Sequence, residues 1–174
     1  WTHALTVTDD NALAEDNLGV ALLELNKKDE ALTHFQNAAR IAPTDPTGHI
    51  NIAAELQDHG RLDEAIAQYQ TALQSQPDNA LKAIIYNNLG SAYRQQGDLL
   101  AAQNAYLEAS NLEPQNADTA ETTQRLGQLR IEMIIQQLRH QTSLHPSAAV
   151  YAQLGSLQQQ LGNAEEARAA YTAA

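Results

Sequence analysis

The sequence predicts an all-α fold, an α-solenoid built from antiparallel helix pairs. The first observation is a fixed period, because alanine and aromatic residues recur together at separations of 34, 37 and 65 residues. The series in phase are Ala31, Ala65, Ala102 and Ala167; Phe35, Tyr69, Tyr106 and Tyr171; and Ala38, Ala72, Ala109 and Ala174. The second observation is that each unit reads as two amphipathic helices. A period of this length is typical of stacked repeats in which each unit contacts its neighbours.

Each unit carries local signals for two helices and a tight turn. In the first helix of the second unit, Ile52 and Leu56 lie four residues apart on one face. Gly60 follows this helix, and glycine supplies the left-handed conformation that ends a helix at no steric cost, so we expect a helix end there. Asp45 before Pro46 predicts an N-cap with proline in the first turn of the helix. These signals recur in the other units and fix where the helices start and stop.

Composition excludes several classes of function. The 174 residues include 10 Lys and Arg against 21 Asp and Glu, so the formal net charge is −11. A chain this acidic repels phosphate backbones, and we expect no nucleic-acid partner. No apolar run reaches the length of a bilayer span, so we expect no membrane insertion of this segment. The absence of cysteine removes disulfides, thiolate metal sites and cysteine nucleophiles.

The markers of each unit resemble the tetratricopeptide repeat family. They comprise a Leu-Gly pair in the first helix and an Ala, aromatic, Ala series followed by Pro in the second. In the first unit they stand as Leu18, Gly19, Leu22, Ala31, Phe35, Ala38 and Pro43. In the third they stand as Tyr86, Leu89, Gly90, Tyr93, Ala102, Tyr106, Ala109 and Pro114. The resemblance covers nearly the whole chain and implies a right-handed α-solenoid, the tetratricopeptide superhelix.

The phase divides this single solenoid, residues 1–174, into six segments. They are 1–11, the second helix of a truncated preceding repeat; the repeats 12–45 and 46–79; the repeat 80–116; the segment 117–147; and 148–174, an incomplete last repeat. The repeat 80–116 carries a three-residue insertion. The segment 117–147 is either a degenerate repeat of two helices or one long helix. We expect a piece of a longer protein whose uncapped ends self-associate end to end.

No residue pattern indicates an enzyme in this segment. The six histidines show no metal-ligand spacing with each other or with carboxylates, and there is no glycine-rich phosphate loop. Paired acidic residues such as Asp63-Glu64 fall at the starts of second helices, where they complement the helix dipole. We therefore expect no catalytic residue, no metal and no cofactor.

The candidate site is a column of asparagines, which we call the asparagine ladder: Asn17, Asn51 and Asn88. Each precedes the Leu or Ile of the Leu-Gly mark, so the three occupy one position in successive repeats. An amide both donates and accepts, and can pair with a peptide backbone whatever the ligand's sequence. This column resembles the ladder in the superhelix of O-linked N-acetylglucosamine transferase, and the resemblance implies that first helices line a concave groove. The same phase adds Leu13, Val20, Thr47, Ile50, Ala54, Ile84, Asn87, Ser91, Arg94 and Gln153.

The sequence argues against one well-known ligand mode of the family, the carboxylate clamp that binds acidic chaperone tails. The resemblance implies Lys, Arg and Asn at five places, and only Asn51 matches. The other four places hold Asp16, Val20, Ile84 and Asn88. Without cations, a terminal carboxylate has no strong partner.

The prediction from sequence is a scaffold that binds an extended peptide or protein segment in its groove. Two alternatives remain. Residues 1–19, led by Trp1, resemble the junction in polytopic membrane glycosyltransferase-like (O-mannosyltransferase-type) proteins, which implies a substrate-presenting or regulatory segment at a membrane surface outside the cytoplasm. The other alternative is a structural spacer without a ligand. The sequence leaves the compartment open between the cytoplasm and that membrane surface.

Overall fold

The computed structural model describes the backbone of residues 2–112 and 117–174 and the side chains of residues 11–112 and 121–174. Within these ranges the chain is helical and contains no strand. The helices are α1 Thr2–Glu24, α2 Lys28–Ile41, α3 Pro46–Asp58, α4 Leu62–Gln74, α5 Asn79–Gln96, α6 Leu99–Leu112, α7 Ala117–Leu144, α8 Ala148–Gln160 and α9 Ala164–Ala173. The predicted all-α solenoid of helix pairs is confirmed.

The helices belong to two compact units, Trp1–Thr119 and Ala120–Ala174. In the first unit α1 packs on α2, α3 on α4 and α5 on α6, and the pairs are joined because α2 also packs on α3 and α4 on α5. In the second unit α8 packs on α9, and Ile135 and Leu138 of α7 form a cluster with Leu154 and Ala170.

The core of the first unit is built around the aromatic residues of the second helices. Phe35 of α2 is 1% exposed and lies in a cluster with Leu22 and Ile52. Tyr69 of α4 is equally buried, and packs in the next cluster with Ile85 and Leu89. In the first compact unit, the predicted period therefore reflects one aromatic ring buried in each helix pair, whereas Tyr171 at the same place in α9 is 46% exposed.

The glycine of the Leu-Gly mark is explained by the same rings. A Cβ atom built on Gly90 would lie 2.6 Å from the ring of Tyr106, and one on Gly19 would lie 2.4 Å from the ring of Phe35. Both distances are shorter than van der Waals contact, so the absence of a side chain lets the two helices approach. The second repeat differs, because Ala53 stands at this place and is fully buried beside Tyr69.

The turn and cap signals read from the sequence are present in the structure. Asp45 caps α3, where its carboxylate accepts a hydrogen bond of 2.9 Å from the backbone N–H of Thr47, with Pro46 in the first turn. Gly97 ends α5 in the left-handed region at φ 90°, and Asn26 takes the same conformation after α1 at φ 58°. These caps and turns define where the first helices α1, α3 and α5 begin or end.

Two helices, α1 and α7, lie across boundaries or open alternatives of the predicted division. The sequence places a helix boundary near residue 11, but α1 runs without interruption from Thr2 to Glu24. Residues 9–11 contain no Pro or Gly, so no residue there breaks helical hydrogen bonding. Of the two alternatives for 117–147, the structure has a single helix, α7, over Ala117–Leu144. The assignment of residues to repeats otherwise stays a prediction.

Candidate functional site

The first helices of the three pairs lie next to one another, α1 against α3 and α3 against α5. Side-chain hydrogen bonds cross between them. Asn51 Nδ2 donates to Asp16 Oδ1 over 3.1 Å, and Gln57 Nε2 donates to Ser91 Oγ over 3.1 Å. We call the surface formed by these helices the first-helix face; it carries Leu13, Asn17, Val20, Thr47, Ile50, Asn51, Ala54, Ile84, Asn87, Asn88, Ser91 and Arg94.

The three asparagines of the ladder differ in their surroundings. Asn17 is exposed, whereas Asn51 and Asn88 are half-buried. The Asn51 amide already donates one hydrogen bond inside the protein, to Asp16. A bidentate pairing of Asn51 with a ligand backbone therefore has to use its remaining N–H and its carbonyl oxygen. The ligand role of the ladder stays a prediction.

Apolar side chains on the first-helix face are exposed to solvent beside the asparagines. Leu13 is 61% exposed, Val20 47% and Ile84 46%. They share a spacing with the ladder, since Leu13, Asn17 and Val20 stand at i, i+4 and i+7 on α1. Ala54 on α3 is exposed as well, while Ile50 is half-buried against the cluster around Tyr69. This face thus combines uncovered apolar surface with side-chain amides.

The remaining predicted site residues lie on the same helices, with one exception. Asn87 is half-buried and Arg94 is exposed, and each interacts with another group of the protein. Ser91 is half-buried and accepts the hydrogen bond from Gln57. Gln153 is exposed on α8, in the second unit. Its membership in the site stays a prediction.

Asp16 is the residue of this face whose role sequence reasoning missed. Its side chain is on α1 and only 8% exposed. Burial raises the pKa of Asp16, the hydrogen bond from Asn51 opposes that rise, and the charge of Asp45 adds to it. One signal was present in the sequence: an acidic residue next to Asn17, at a place held by Ile50 in the following repeat.

Glu55 is a second buried carboxyl group that the sequence reading missed. It lies on α3, is 5% exposed, and its Oε2 atom has no hydrogen-bond partner. Desolvation is the main reason why the pKa of Glu55 is raised, and the positive charge of Lys28 on α2 partly opposes it. The equivalent residues in the neighbouring repeats are Ala21 and Ala92. A glutamate at a position that is alanine in both neighbouring repeats was the signal in the sequence for a buried charge.

Replacing Glu55 with Gln is expected to stabilise the first unit at neutral pH. A carboxyl group whose folded pKa is raised favours the folded state while it is protonated. Its ionisation, beginning near the unfolded pKa of about 4.3, therefore lowers stability as the pH rises. The amide carries no charge, so Glu55→Gln should gain about 1 kcal/mol at pH 7 and almost nothing at pH 4. Urea unfolding at both pH values measures this.

The control for this variant is Glu24→Gln, because Glu24 is exposed on α1. It loses the same charge without relieving a buried group. Equal stability changes for the two variants at pH 7, or a gain at Glu55 that does not depend on pH, would contradict a buried, charged Glu55.

Two histidines of the first compact unit form hydrogen bonds with side chains of neighbouring helices. His34 Nδ1 lies 2.7 Å from Glu15 Oε2, and this hydrogen bond is the main cause that lowers the pKa of Glu15. His49 Nδ1 lies 2.7 Å from Gln68 Oε1. Among the described side chains, no group of three or more His, Asp or Glu residues has the arrangement of a metal site. None of the described helices combines the length and apolarity needed to cross a membrane.

Comparison with known proteins gives consistent matches to one repeat family. Models described as tetratricopeptide repeat match residues 12–45, 46–112 and 148–174, which together make up more than half of the chain. Among curated proteins, the chain is 30% identical over 120 residues to the protein STIP1 homolog of Dictyostelium discoideum. That match covers 67% of this chain and 21% of the relative, so the chain spans about a fifth of the relative's length.

Solved structures show the same fold at low sequence identity. PilF of Pseudomonas aeruginosa superimposes with a TM-score of 0.65 at 22% identity, covering 95% of this chain and 76% of PilF. The first tetratricopeptide domain of Spaghetti (RPAP3), solved with the HSP90 peptide SRMEEVD, gives a TM-score of 0.64 at 20% identity. This match covers 72% of the chain and 98% of that domain.

Proposed function

We propose that this chain, which belongs to the tetratricopeptide repeat family, is a non-enzymatic interaction module that binds an extended peptide segment on its first-helix face. The observation that carries the proposal is the repeated pattern on α1, α3 and α5. Each helix places an asparagine between residues that are exposed or half-buried, as in Leu13, Asn17 and Val20. Such a face offers apolar area for affinity and amides that recognise a backbone.

The binding mode follows from the spacing of the helices. Packed helices lie about 8–10 Å apart, and an extended chain advances about 3.3 Å per residue. A ligand crossing α1, α3 and α5 therefore meets a new asparagine about every three residues. Its apolar side chains would cover Leu13, Val20 and Ile84, which are all at least 46% exposed. Burial of apolar surface then supplies affinity, while the amides fix the direction and register of the ligand.

The names of the relatives suggest one ligand class, the acidic tails of chaperones, because the RPAP3 domain was solved with SRMEEVD. The first-helix face of this chain does not favour such a peptide. Asp16, Val20, Ile84 and Asn88 stand where the family's carboxylate clamp needs cations or amides. We infer that the ligand is an extended segment of another kind.

A peptide selection tests the proposal with one obstructing variant. The probe is a pool of nine-residue peptides, capped at both ends and free of charged residues, which is long enough to cross three helices. Immobilised protein should enrich individual peptides from this pool. The variant Ala54→Arg should bind them at least tenfold more weakly, since a long charged side chain on the exposed surface of α3 fills the path of the ligand.

The matched control is Ala67→Arg, which adds the same side chain at an exposed alanine of α4, the second helix of the same pair. It should bind the enriched peptides as the parent does. If no peptide is enriched, or if both arginine variants bind alike, the proposal is wrong and the spacer alternative is favoured. The membrane glycosyltransferase alternative stays a prediction, because residues 1–10, which carry part of that resemblance, lie outside the described side chains.

A further inference from the structure

Asp16 is an unusual residue for a surface that binds peptides. The residue is only 8% exposed, and its carboxylate accepts a hydrogen bond across the first-helix face, from Asn51 of α3 to Asp16 of α1. Burying a carboxylate is unfavourable unless it is hydrogen-bonded, and here the bond comes from a residue of the ladder itself. The hydrogen bond therefore links buried Asp16 to Asn51, an asparagine of the proposed ladder.

This hydrogen bond determines how Asn51 is presented to a ligand. An ionised carboxylate only accepts hydrogen bonds, so the nitrogen of the Asn51 amide must turn toward Asp16. The carbonyl oxygen then points away from Asp16. An oxygen held in this way accepts a hydrogen bond from a ligand, and the backbone N–H of a peptide is a donor present at nearly every residue.

The charge of Asp16 acts on the ligand as well. The carboxylate of Asp45, the N-cap of α3, adds to the rise in the pKa of Asp16 that burial causes. The charges of Asp16 on α1 and Asp45 at the start of α3 therefore repel each other. A ligand carboxylate in this region would face repulsion strengthened by the partly desolvated surroundings.

We propose that Asp16 determines the specificity of the first-helix face: it orients Asn51 to accept a ligand backbone N–H, and its charge excludes segments rich in carboxylates. This inference rests on the proposed peptide-binding function. The ligand class it selects is an extended, internal segment that is neutral or basic.

The test uses two peptides and two substitutions at Asp16. One peptide is a neutral peptide enriched from the capped pool, and the other is the same peptide with its last two residues changed to Glu. The parent protein should bind the neutral peptide about tenfold more tightly than the acidic one. Asp16→Asn keeps an oxygen that accepts from Asn51 but removes the charge. It should leave neutral binding within about threefold and reduce the preference to about twofold.

Asp16→Ala removes both the charge and the acceptor, so it should weaken binding of the neutral peptide about fivefold or more. Circular dichroism checks that this variant folds, and the ratio measured with Asp16→Asn decides the outcome if it does not. The control is Glu108→Gln, which removes one charge at an exposed residue of α6 and should leave the preference unchanged. Fluorescence anisotropy measures each dissociation constant.

The failures of the two proposals are distinguishable. Binding of neither peptide to the parent protein overturns the proposed function. Equal binding of both peptides to the parent, or an undiminished preference in Asp16→Asn, overturns the role of Asp16 and leaves peptide binding intact.

Discussion

Replacing Tyr69 with Ala will lower the free energy of unfolding of the first unit by about 3–5 kcal/mol. The ring is 1% exposed and packs among Ala53, Ile85 and Leu89, in the cluster that joins the second and third helix pairs. Its loss leaves a cavity between α3, α4 and α5 and removes much of the apolar contact between repeats. Urea denaturation followed by far-ultraviolet circular dichroism measures the effect.

The variant Tyr69→Phe distinguishes the contribution of the ring to stability from that of the hydroxyl group. The hydroxyl donates a hydrogen bond of 3.3 Å to Gln57 Oε1, and burial raises the pKa of Tyr69 to about 12. Because the ring remains, this variant should lose only about 0.5–1.5 kcal/mol. A loss below 1 kcal/mol for Tyr69→Ala would mean that the buried rings Phe35, Tyr69 and Tyr106 are not the main source of stability of the repeats.

The fold was predictable because its determinants are local and repeated. A cap such as Asp45 with Pro46, or a left-handed residue such as Asn26, acts within a few residues and is visible in sequence. The buried aromatic rings recur at the repeat period, so their packing also leaves a periodic trace. The boundary expected near residue 11 was inferred from the repeat period alone. No residue there stops a helix, and α1 continues through it.

The contacts of the candidate site could not be predicted from the sequence. The spacing of Asn17, Asn51 and Asn88 places them at one register of three neighbouring helices. It does not reveal that Asn51 is bonded to Asp16, since that pairing depends on the rotation and distance of α1 relative to α3. Glu55 was missed for a related reason. Its burial depends on the tertiary packing around α3, which the pattern of a single repeat does not contain.

Replacing Asn17, Asn51 and Asn88 together with Ala is expected to weaken peptide binding about ten- to a thousandfold. Each lost hydrogen bond contributes about 0.5–1.5 kcal/mol net, and the three losses combine on one ligand. The free energy of unfolding should rise with the change at Asn17 and fall with the change at Asn51. Alanine is the better helix former at exposed Asn17, whereas the change at Asn51 removes the partner of buried Asp16 and should cost about 1–3 kcal/mol.

The matched control for the triple variant replaces Gln36, Gln74 and Asn104 with Ala, because all three are exposed amides on the second helices α2, α4 and α6. It should bind the peptide selected from the capped pool as tightly as the parent does. Circular dichroism must show equal helicity in both triple variants before their dissociation constants are compared by anisotropy. If the asparagine triple binds as well as its control, the amides are not ligand groups. Affinity would then come from the exposed apolar residues Leu13, Val20 and Ile84 alone, and binding should weaken when these are replaced instead.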